Sequence, residues 1–425
     1  MNRKTSQSWL YVVIVVLGWW LVPAILAWCT VTVQADSPPG PPGSHSPPGR
    51  DWYMFRGQPE LTGVAATDLS DTLVVLWRFN RDEGFVSSAA IVDGVVYVGG
   101  DSGNLYALDL ADGSVKWTYP TGSMIESSPL VRRGVVYFGD DDGVFHAVDA
   151  ATGTRRWTFT TDAQIISSPN HIGDRIVFGS YDGNLYCLSP AGKPVWTCTT
   201  KDRLHATPGV TRVAAGDKTG QAFCLIAGCD QNLHVVDTAT GDQLRGVDMH
   251  SVSGAAAAIH GRHVYVGTYG NQVLCIDWLT GRIVWTYENP DRQFPYMSSA
   301  ALTGDLVILG GRDKRVRALD AATGKQRWAF VTHSRVDSSP VVVGDSVFVG
   351  SSDGNLYRLK VNDGSEQWRF DAASPITASV AVAAGRLVVG TTGGVLYCFG
   401  DPALKKAAAG RTTIQESPGN ERTKP

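Results

Sequence analysis

Short alternations of apolar and polar residues, separated by turns rich in Gly, Asp and Asn, run through most of the chain. Residues 336–370 illustrate the pattern: small and then β-branched residues are followed by SVFVG, SSDGN, NLYRL, NDG and EQWRF. The apolar segments have the length and the β-branched and aromatic content typical of strands, and the polar segments have the composition of tight turns. The pattern therefore predicts four short antiparallel strands in about 40 residues.

The same unit repeats along the chain, and a tryptophan marks its last strand. The markers, at spacings of 40, 40, 39, 89, 43 and 40, are Trp77, Trp117, Trp157, Trp196, Trp285, Trp328 and Trp368. The interval of 89 holds two units, because Arg245 follows Gly241 by four residues as Trp157 follows Gly153. Eight units of this kind predict eight propeller blades, numbered here so that blade 1 ends with the Trp117 strand.

The two ends of the repeat are complementary. Trp77 lies in an apolar segment, residues 73–80, that has no three strands before it, and the last unit ends at residues 396–399 with only three strands. We predict that residues 73–80 supply the outer strand of blade 8, which removes an exposed sheet edge. The predicted fold is all-β: an eight-bladed β-propeller of four-stranded antiparallel blades, closed by an N-terminal strand.

Three recurring residue types have structural interpretations. Large flat tryptophan rings in the outer strands are expected to cover the gaps between neighbouring blades. Aspartates that precede Gly-containing turns are expected to accept turn N–H groups; they are Asp109, Asp149, Asp237, Asp277 and Asp320. Glycines that end the second strands are expected to adopt positive φ angles; they are Gly139, Gly179, Gly267, Gly350 and Gly390.

The chain ends differ from the repeat. Arg3 and Lys4 precede an apolar run over residues 9–29, so residues 1–35 are predicted to be a cleaved signal peptide or a retained membrane anchor. Residues 36–50 form a predicted Pro/Gly-rich linker, residues 51–401 the propeller, and residues 402–425 a disordered tail. Either interpretation of the N-terminus leaves the basic end in the cytoplasm and predicts an extracytoplasmic body, in the periplasm or cell envelope.

The composition argues against two classes of protein, a nucleic-acid binder and a helical enzyme. The net charge is −3, which argues against a nucleic-acid partner bound through a basic surface. Charged residues are only 18% of the chain, whereas Gly (47) and Trp (13) are frequent. This balance suits short strands joined by tight turns and does not suit a helical enzyme.

The repeat resembles a known family. GNLYALDLADGSVKW, GVFHAVDAATGTRRW and RVRALDAATGKQRW are similar to the pyrroloquinoline-quinone (PQQ) repeat, close to G-x-LYALD-x-x-TG-x-x-x-W, and the leader DWYMFRGQPELTG resembles that of exported proteins with these repeats. The resemblance covers residues 51–401 and extends to the eight-bladed quinoprotein alcohol dehydrogenases and to BamB-type outer-membrane assembly lipoproteins. It describes a repeat and does not by itself imply cofactor binding.

The resemblance to the dehydrogenases implies PQQ and Ca²⁺ in the funnel mouth, a base Asp and a disulfide between adjacent cysteines. The chain has no Cys-Cys pair, its nearest cysteines being Cys224 and Cys229, and it lacks long insertions between blades. Asp337, Glu126 and Asn355 are of suitable type but form no recognisable motif. We therefore predict a non-enzymatic scaffold that binds a protein or an envelope polymer, without catalytic, metal or cofactor residues. The alternative is a periplasmic PQQ-dependent quinoprotein oxidoreductase.

A candidate ligand face follows from the blade topology, because first strands begin on the face that carries the turns between second and third strands. On this face we expect an acidic sector and, on roughly opposite blades, a basic sector that together orient a charged partner. The candidates are Glu126, Asp140, Asp141 and Asp142 on blade 2, Arg203 and His205 on blade 4, Arg312, Lys314 and Arg315 on blade 6, and Arg335 and Asp337 at blade 7.

Two segments depart from the repeat, and irregular units are where binding loops concentrate. Blade 4 lacks its tryptophan and carries an insertion at residues 214–221; the alternative is drift in a blade without a binding role. Residues 288–296 form the longest connection between blades. Phe294 and Tyr296 in this connection are predicted to be surface aromatics suited to a polysaccharide, a third candidate function.

Cysteines and histidines offer no clear site. Cys187, Cys275 and Cys398 fall where other blades have alanine, which predicts small core residues. His260 and His263 are predicted to oppose each other across a hairpin, but no acid or cysteine stands beside them to complete the ligands of a zinc ion.

Overall fold

Thirty-three short strands make up the computed structural model, which describes residues 51–213 and 220–405. In chain order they are β1 (Val64–Ala65), β2 (Val74–Asn80), β3 (Ala90–Val92), β4 (Val95–Gly99), β5 (Asn104–Asp109), β6 (Val115–Pro120), β7 (Leu130–Arg132), β8 (Val135–Gly139), β9 (Val144–Asp149), β10 (Arg155–Thr160), β11 (Asn170–Ile172), β12 (Arg175–Gly179), β13 (Asn184–Leu188), β14 (Pro194–Thr199), β15 (Gly209–Arg212), β16 (Ala222–Ala227), β17 (Asn232–Asp237), β18 (Gln243–Asp248), β19 (Ala258–His260), β20 (His263–Gly267), β21 (Gln272–Asp277), β22 (Arg282–Glu288), β23 (Ala301–Thr303), β24 (Leu306–Gly311), β25 (Arg315–Asp320), β26 (Gln326–Val331), β27 (Val341–Val343), β28 (Ser346–Gly350), β29 (Asn355–Lys360), β30 (Glu366–Asp371), β31 (Ala381–Ala383), β32 (Arg386–Gly390) and β33 (Val395–Gly400).

All strands except β1 form eight antiparallel blades of four, and β1 adds to one of them as a fifth, parallel strand, which confirms the predicted propeller. Blades 1 to 7 are consecutive groups of four strands from β3 to β30. Blade 8 consists of β31, β32 and β33 together with β2, which pairs with β33 from Val74 opposite Gly400 to Asn80 opposite Val395. The predicted closure by the N-terminal strand is therefore confirmed.

A leader before β2 threads around the axis of the propeller. Trp52 forms a bridge with Ile91 of blade 1, and β1 runs parallel to β27 of blade 7. Between them, leader carbonyls accept hydrogen bonds from first-strand amides of successive blades, namely Val131, Val210, Ile259, Leu302 and Val342. The leader thus pairs with the inner edges of most first strands, which no other strand covers.

Outer-strand tryptophans join six of the blades to the next. Trp117 donates from Nε1 to the Ala150 carbonyl at 3.0 Å, and its ring lies against Gly153 in the turn of blade 2. The same contact recurs at Trp77, Trp157, Trp196, Trp285 and Trp328. Arg245 takes the tryptophan position on blade 4 and donates to the carbonyls of Leu279 and Thr280 on blade 5.

The turn aspartates behave as predicted, whereas the reason given for the second-strand glycines is wrong. Asp109 accepts the Ala111 amide at 2.8 Å, and the other four aspartates accept equivalent amides. Gly139 and its four counterparts do not have positive φ angles. A Cβ at Gly139 would lie 2.2 Å from Ile165 Cγ2, so the glycine is required by close packing of the segment that leads into the next blade.

The predicted signal or anchor at 1–35, the linker at 36–50 and most of the tail lie outside the described residues, as does most of the blade 4 insertion. Within the described residues, no helix is long and apolar enough to cross a membrane. Cys187, Cys275 and Cys398 are fully buried, which confirms their assignment to the core.

Candidate functional site

A cavity of about 170 Å³ lies on the propeller axis, where all eight blades contribute side chains. Two rings line it, and each takes one residue from every blade. The middle ring comprises Val86, Glu126, Ile166, His205, Gly254, Met297, Asp337 and Thr377. The inner ring, two residues further along each blade, comprises Ser88, Ser128, Ser168, Thr207, Ala256, Ser299, Ser339 and Ser379.

A third ring surrounds the mouth of the cavity. It consists of the second residue of each turn between second and third strands, namely Asp101, Asp141, Tyr181, Cys229, Tyr269, Arg312, Ser352 and Thr392. The amide of each donates to a carbonyl two residues before the middle ring, as Asp141 does to Met124 at 3.0 Å. This bonding confirms that first strands begin on the face that carries these turns.

The inner ring is a nearly continuous belt of hydrogen bonds. The Ser88 amide donates to the Ser128 hydroxyl at 3.0 Å, and the Ser379 amide donates to the Ser88 hydroxyl at 3.0 Å, which closes the belt across the first and last blades. Because these hydroxyls bind the backbone of the neighbouring blade, their first role is to hold the blades in register.

The leader closes the cavity at its base. Phe55 lines the cavity, and the neighbouring Arg56 is 1% exposed. Arg56 donates to the carbonyls of Pro340 at 2.7 Å and Ala300 at 2.8 Å. The cavity is thus a funnel open on one face. Sequence reasoning recognised the leader motif but not this role, because nothing local in the motif shows which blades it contacts.

Three carboxylates form the acidic sector, defined here as Asp101, Glu126 and Asp141. Burial raises the pKa of Glu126, and the charges of Asp141 and Asp101 raise it further. Burial likewise raises the pKa values of Asp101 and Asp141. Among the described residues none of the three makes an ion pair, and the Oδ1 atoms of Asp101 and Asp141 are buried without a hydrogen-bond partner. No cationic side chain among the described residues therefore compensates these three carboxylates.

The basic sector is defined here as Arg203, Arg312 and Arg335. Unlike the carboxylates of the acidic sector, each of these arginines lies within 4 Å of a carboxylate. Arg312 binds Asp337 through Nε at 2.8 Å and through Nη2 at 3.2 Å, and Arg335 binds the same carboxylate at 3.1 Å. Two guanidinium groups therefore share one acid of the middle ring. Arg203 lies 3.6 Å from the carboxylate of its neighbour Asp202.

Aromatic side chains lie beside the basic sector. The Tyr181 hydroxyl is 2.7 Å from His205 Nδ1, and the Arg203 guanidinium lies 5.3 Å from the centre of the Tyr181 ring. Burial, followed by the charge of Arg203, lowers the pKa of His205, which favours the neutral imidazole. Tyr269 in the mouth ring is 42% exposed and available to a ligand.

Several predicted face residues lie elsewhere. Asp140 is 1% exposed and binds His146 at 2.8 Å, because the first residue of each turn lies beneath the turn. Arg315 lines a separate cavity away from the axis. Lys314 and Asp142 are exposed on their turns. Tyr296 is 1% exposed, so its prediction as a surface aromatic is wrong: it occupies the buried position that Ile125 has on blade 2.

The funnel does not fit PQQ and Ca²⁺ well. Its volume is below the roughly 300–1,000 Å³ of ordinary small-molecule pockets. Within residues 51–213 and 220–405, no three His, Cys, Asp or Glu side chains are placed to hold a metal ion. Asn355 does not line the cavity, and its side-chain amide donates to Asp353. His260 does pair with His263 across a hairpin, as predicted, but without further ligands.

Fold and site together define an eight-bladed propeller with an axial funnel that is closed at one end. The chain belongs to the family whose model is described as outer membrane protein assembly factor BamB, which matches residues 63–223, 229–375 and 353–412. The PQQ-repeat resemblance is thereby confirmed.

Individual relatives include quinoproteins. Over 83 residues the chain is 36% identical to the quinohemoprotein alcohol dehydrogenase ADH IIB of Pseudomonas putida, a match covering 18% of this chain and 12% of that protein. Over 158 residues it is 31% identical to a quinoprotein ethanol dehydrogenase of the same species, covering 35% and 25%. The chain thus spans at most a quarter of the length of these two relatives.

Solved structures share the architecture. BamB from Moraxella catarrhalis superposes with a TM-score of 0.63 at 21% identity, covering 78% of this chain and all of that one. Quinohemoprotein alcohol dehydrogenase from Comamonas testosteroni superposes with a TM-score of 0.69 at 14% identity, covering 83% and 80%. At these identities the similarity concerns the fold.

Proposed function

We propose that the protein is an extracytoplasmic, non-enzymatic scaffold whose funnel mouth binds a protein partner through a basic segment of that partner. The observation that carries the proposal is that Asp101, Glu126 and Asp141 lie close enough at the mouth to raise one another's pKa, and that none of them forms an ion pair with a described residue. Buried carboxylates without a counter-charge destabilise a fold, so a cationic ligand that neutralises them binds with a favourable electrostatic contribution. The N-terminal pattern and the family's named role in outer membrane protein assembly support the location and the kind of partner.

The geometry favours a segment over a small molecule. The cavity of about 170 Å³ has room for a single side chain, whereas the mouth ring around it, half-buried or exposed at every position, extends over all eight blades. The exposed Tyr269 and Phe294, 42% and 44% exposed, add apolar contact area outside the charged centre. Interfaces of this kind combine an anchoring side chain with a wider rim.

Photocrosslinking in cells tests the proposal. A photoreactive residue at Thr392, in the mouth ring, should give a discrete crosslinked protein, and Asp101→Lys with Asp141→Lys should abolish that product. The matched control places the same group at His260, exposed on a hairpin at the other end of its blade. Products that are identical at both positions, or that survive the charge reversal, would contradict the proposal.

The alternative, a periplasmic PQQ-dependent oxidoreductase, is favoured by the matches to two quinoprotein dehydrogenases. Incubation with PQQ and Ca²⁺ separates the two functions. The scaffold proposal expects no retained quinone absorbance and no alcohol-dependent dye reduction. Stoichiometric quinone that persists through gel filtration and supports dye reduction would establish the enzyme instead.

A further inference from the structure

A second cavity, called here the blade 6 cavity, lies away from the axis and has a volume of about 420 Å³. It is bounded by the end of β22, by the start of the connection from blade 5 to blade 6, and by β25 and β26. Its volume is within the range of small-molecule pockets. Arg315 and Val331, which are paired across β25 and β26, both line it.

Departures from the repeat create this space. Eight residues separate Glu288 at the end of β22 from Met297 in the middle ring, whereas five separate Pro120 from Glu126 at the corresponding connection. The pair formed by Arg317 and Ala329 replaces pairs such as Tyr106 with Thr118 and Tyr186 with Thr197. The blade 6 cavity therefore lies where the connection is longer than at blade 2 and where Ala329 replaces the threonine of blades 1 and 3.

The entrance of the cavity is also exceptional. Val331 is 63% exposed, and the corresponding residues on other blades are mostly polar: Pro120, Thr160, Thr199, Asp248, Glu288, Asp371 and Asn80. Its partner Arg315 stands where other blades have Asn, Gln or Val. An exposed aliphatic residue and a guanidinium group thus lie side by side at the blade 6 cavity.

Arg315 has no carboxylate partner that another arginine does not already bind. The buried Arg317 binds both oxygens of Asp313 and donates from Nε to Gln326, and Asn289 also donates to Asp313. Arg315 is 4.0 Å from an oxygen of Asp313 that Arg317 already binds. Asp291 at the rim is exposed and forms no ion pair with a described residue. Arg317 and Asp313 therefore neutralise each other, and the charge of Arg315 is opposed only by Asp291 at the rim, with which it forms no ion pair.

We propose that the blade 6 cavity binds an organic carboxylate with an apolar body, independently of the funnel mouth. Arg315 pairs with the carboxylate, and Val331, Ala329 and Tyr287 contact the apolar part. A free acid and the C-terminal residue of a peptide offer the same chemistry, so both are candidates for the ligand.

Calorimetry with the full chain tests the site. The probes are N-acetyl-phenylalanine and its neutral amide. The carboxylate should bind saturably and at least about tenfold more tightly than the amide, as a charge-assisted hydrogen bond implies. Arg315→Gln should remove this preference. The matched control is Arg327→Gln on the same blade, which loses ion pairs to Asp320 and Asp305 but does not line the cavity, and should bind like the wild type.

A second variant and two further probes complete the design. Ala329→Leu fills the cavity without changing charge and should weaken the carboxylate probe by about tenfold or more. A tetrapeptide ending in Phe should bind more tightly than N-acetyl-phenylalanine if the ligand is a peptide C-terminus, and no more tightly if it is a free acid. Absence of saturable binding to the wild type at millimolar probe, tighter binding of inorganic phosphate, or unchanged affinity in Arg315→Gln would overturn the proposal.

Discussion

Replacing Trp77 by alanine tests how the propeller is held closed. The Trp77 side chain is 8% exposed and donates from Nε1 to the Leu110 carbonyl of blade 1 at 3.0 Å. A Cβ on Gly113 would lie 2.7 Å from the ring, so the indole lies directly on the turn of the next blade. Truncating a buried Trp to alanine costs about 3–5 kcal/mol, a large part of the roughly 5–15 kcal/mol that stabilises most proteins.

Trp328→Ala is the matched control, because Trp328 makes the same contact within the continuous part of the chain. It is 7% exposed, donates to the Val361 carbonyl at 2.8 Å and lies on Gly364. β2, however, belongs to blade 8 only through its pairing with β33. Losing the Trp77 contact should therefore loosen β2 and the edge of β33, whereas losing the Trp328 contact should leave the closure intact.

Urea unfolding and hydrogen exchange measure the two consequences separately. Both variants should lose about 3–5 kcal/mol in the free energy of unfolding. Only Trp77→Ala should expose the amides of β2 and β33 to exchange well before global unfolding. A loss below about 1 kcal/mol, or equal protection of β33 in the two variants, would refute the reasoning.

Four further changes follow from the packing and charges. Arg56→Ala should lower the free energy of unfolding by about 3 kcal/mol in urea titration, because two buried carbonyls lose their donor. Gly139→Ala should cost about 3 kcal/mol through overpacking, against about 1 kcal/mol for Gly134→Ala, where φ is 72° and no atom lies within 4 Å of the new Cβ. Burial lowers the pKa of His171 to about 4. The contribution of the neutral imidazole to the free energy of unfolding is therefore complete above about pH 6.5, and up to about 3 kcal/mol of it is lost as the pH drops towards 4. His171→Val should flatten this pH dependence. Glu126→Gln should raise the melting temperature by about 2 °C while weakening the mouth crosslink.

The repeat made most of the fold predictable. The spacing of the tryptophans predicted the number of blades. The Trp77 segment, which has no three strands before it, predicted that an N-terminal strand completes blade 8. Both predictions depend on residues that recur at fixed positions. The interpretation of Gly139 failed because its neighbour Ile165 belongs to the segment that leads into the next blade, and such a contact between blades leaves no local signal.

The candidate site was less predictable, but part of the missing information was in the repeat itself. Asp140 aligns with Gly100, Ser180 and Ser351, and small residues at the same position of other turns indicate burial. Tyr296 aligns with aliphatic residues such as Ile125. By contrast, no alignment of units could show that Arg312 and Arg335 share Asp337, because that pairing depends on side-chain directions at the axis.

Comparing the blades shows which unusual residues gain new contacts in place of those they lack, and which residues lower the stability of the fold without such contacts. Arg245 lacks the indole of its counterparts, but its guanidinium makes two hydrogen bonds to the same turn of the next blade, so this residue has a structural role there. Glu126 has no such compensation among the described residues, although Val86 and Ile166 show that an apolar residue suits the same position on neighbouring blades. The repeat thus has a half-buried, unpaired carboxylate at a position where an apolar residue would be more stable. Uncompensated charge is therefore better support for a binding role at the mouth than irregularity of a blade.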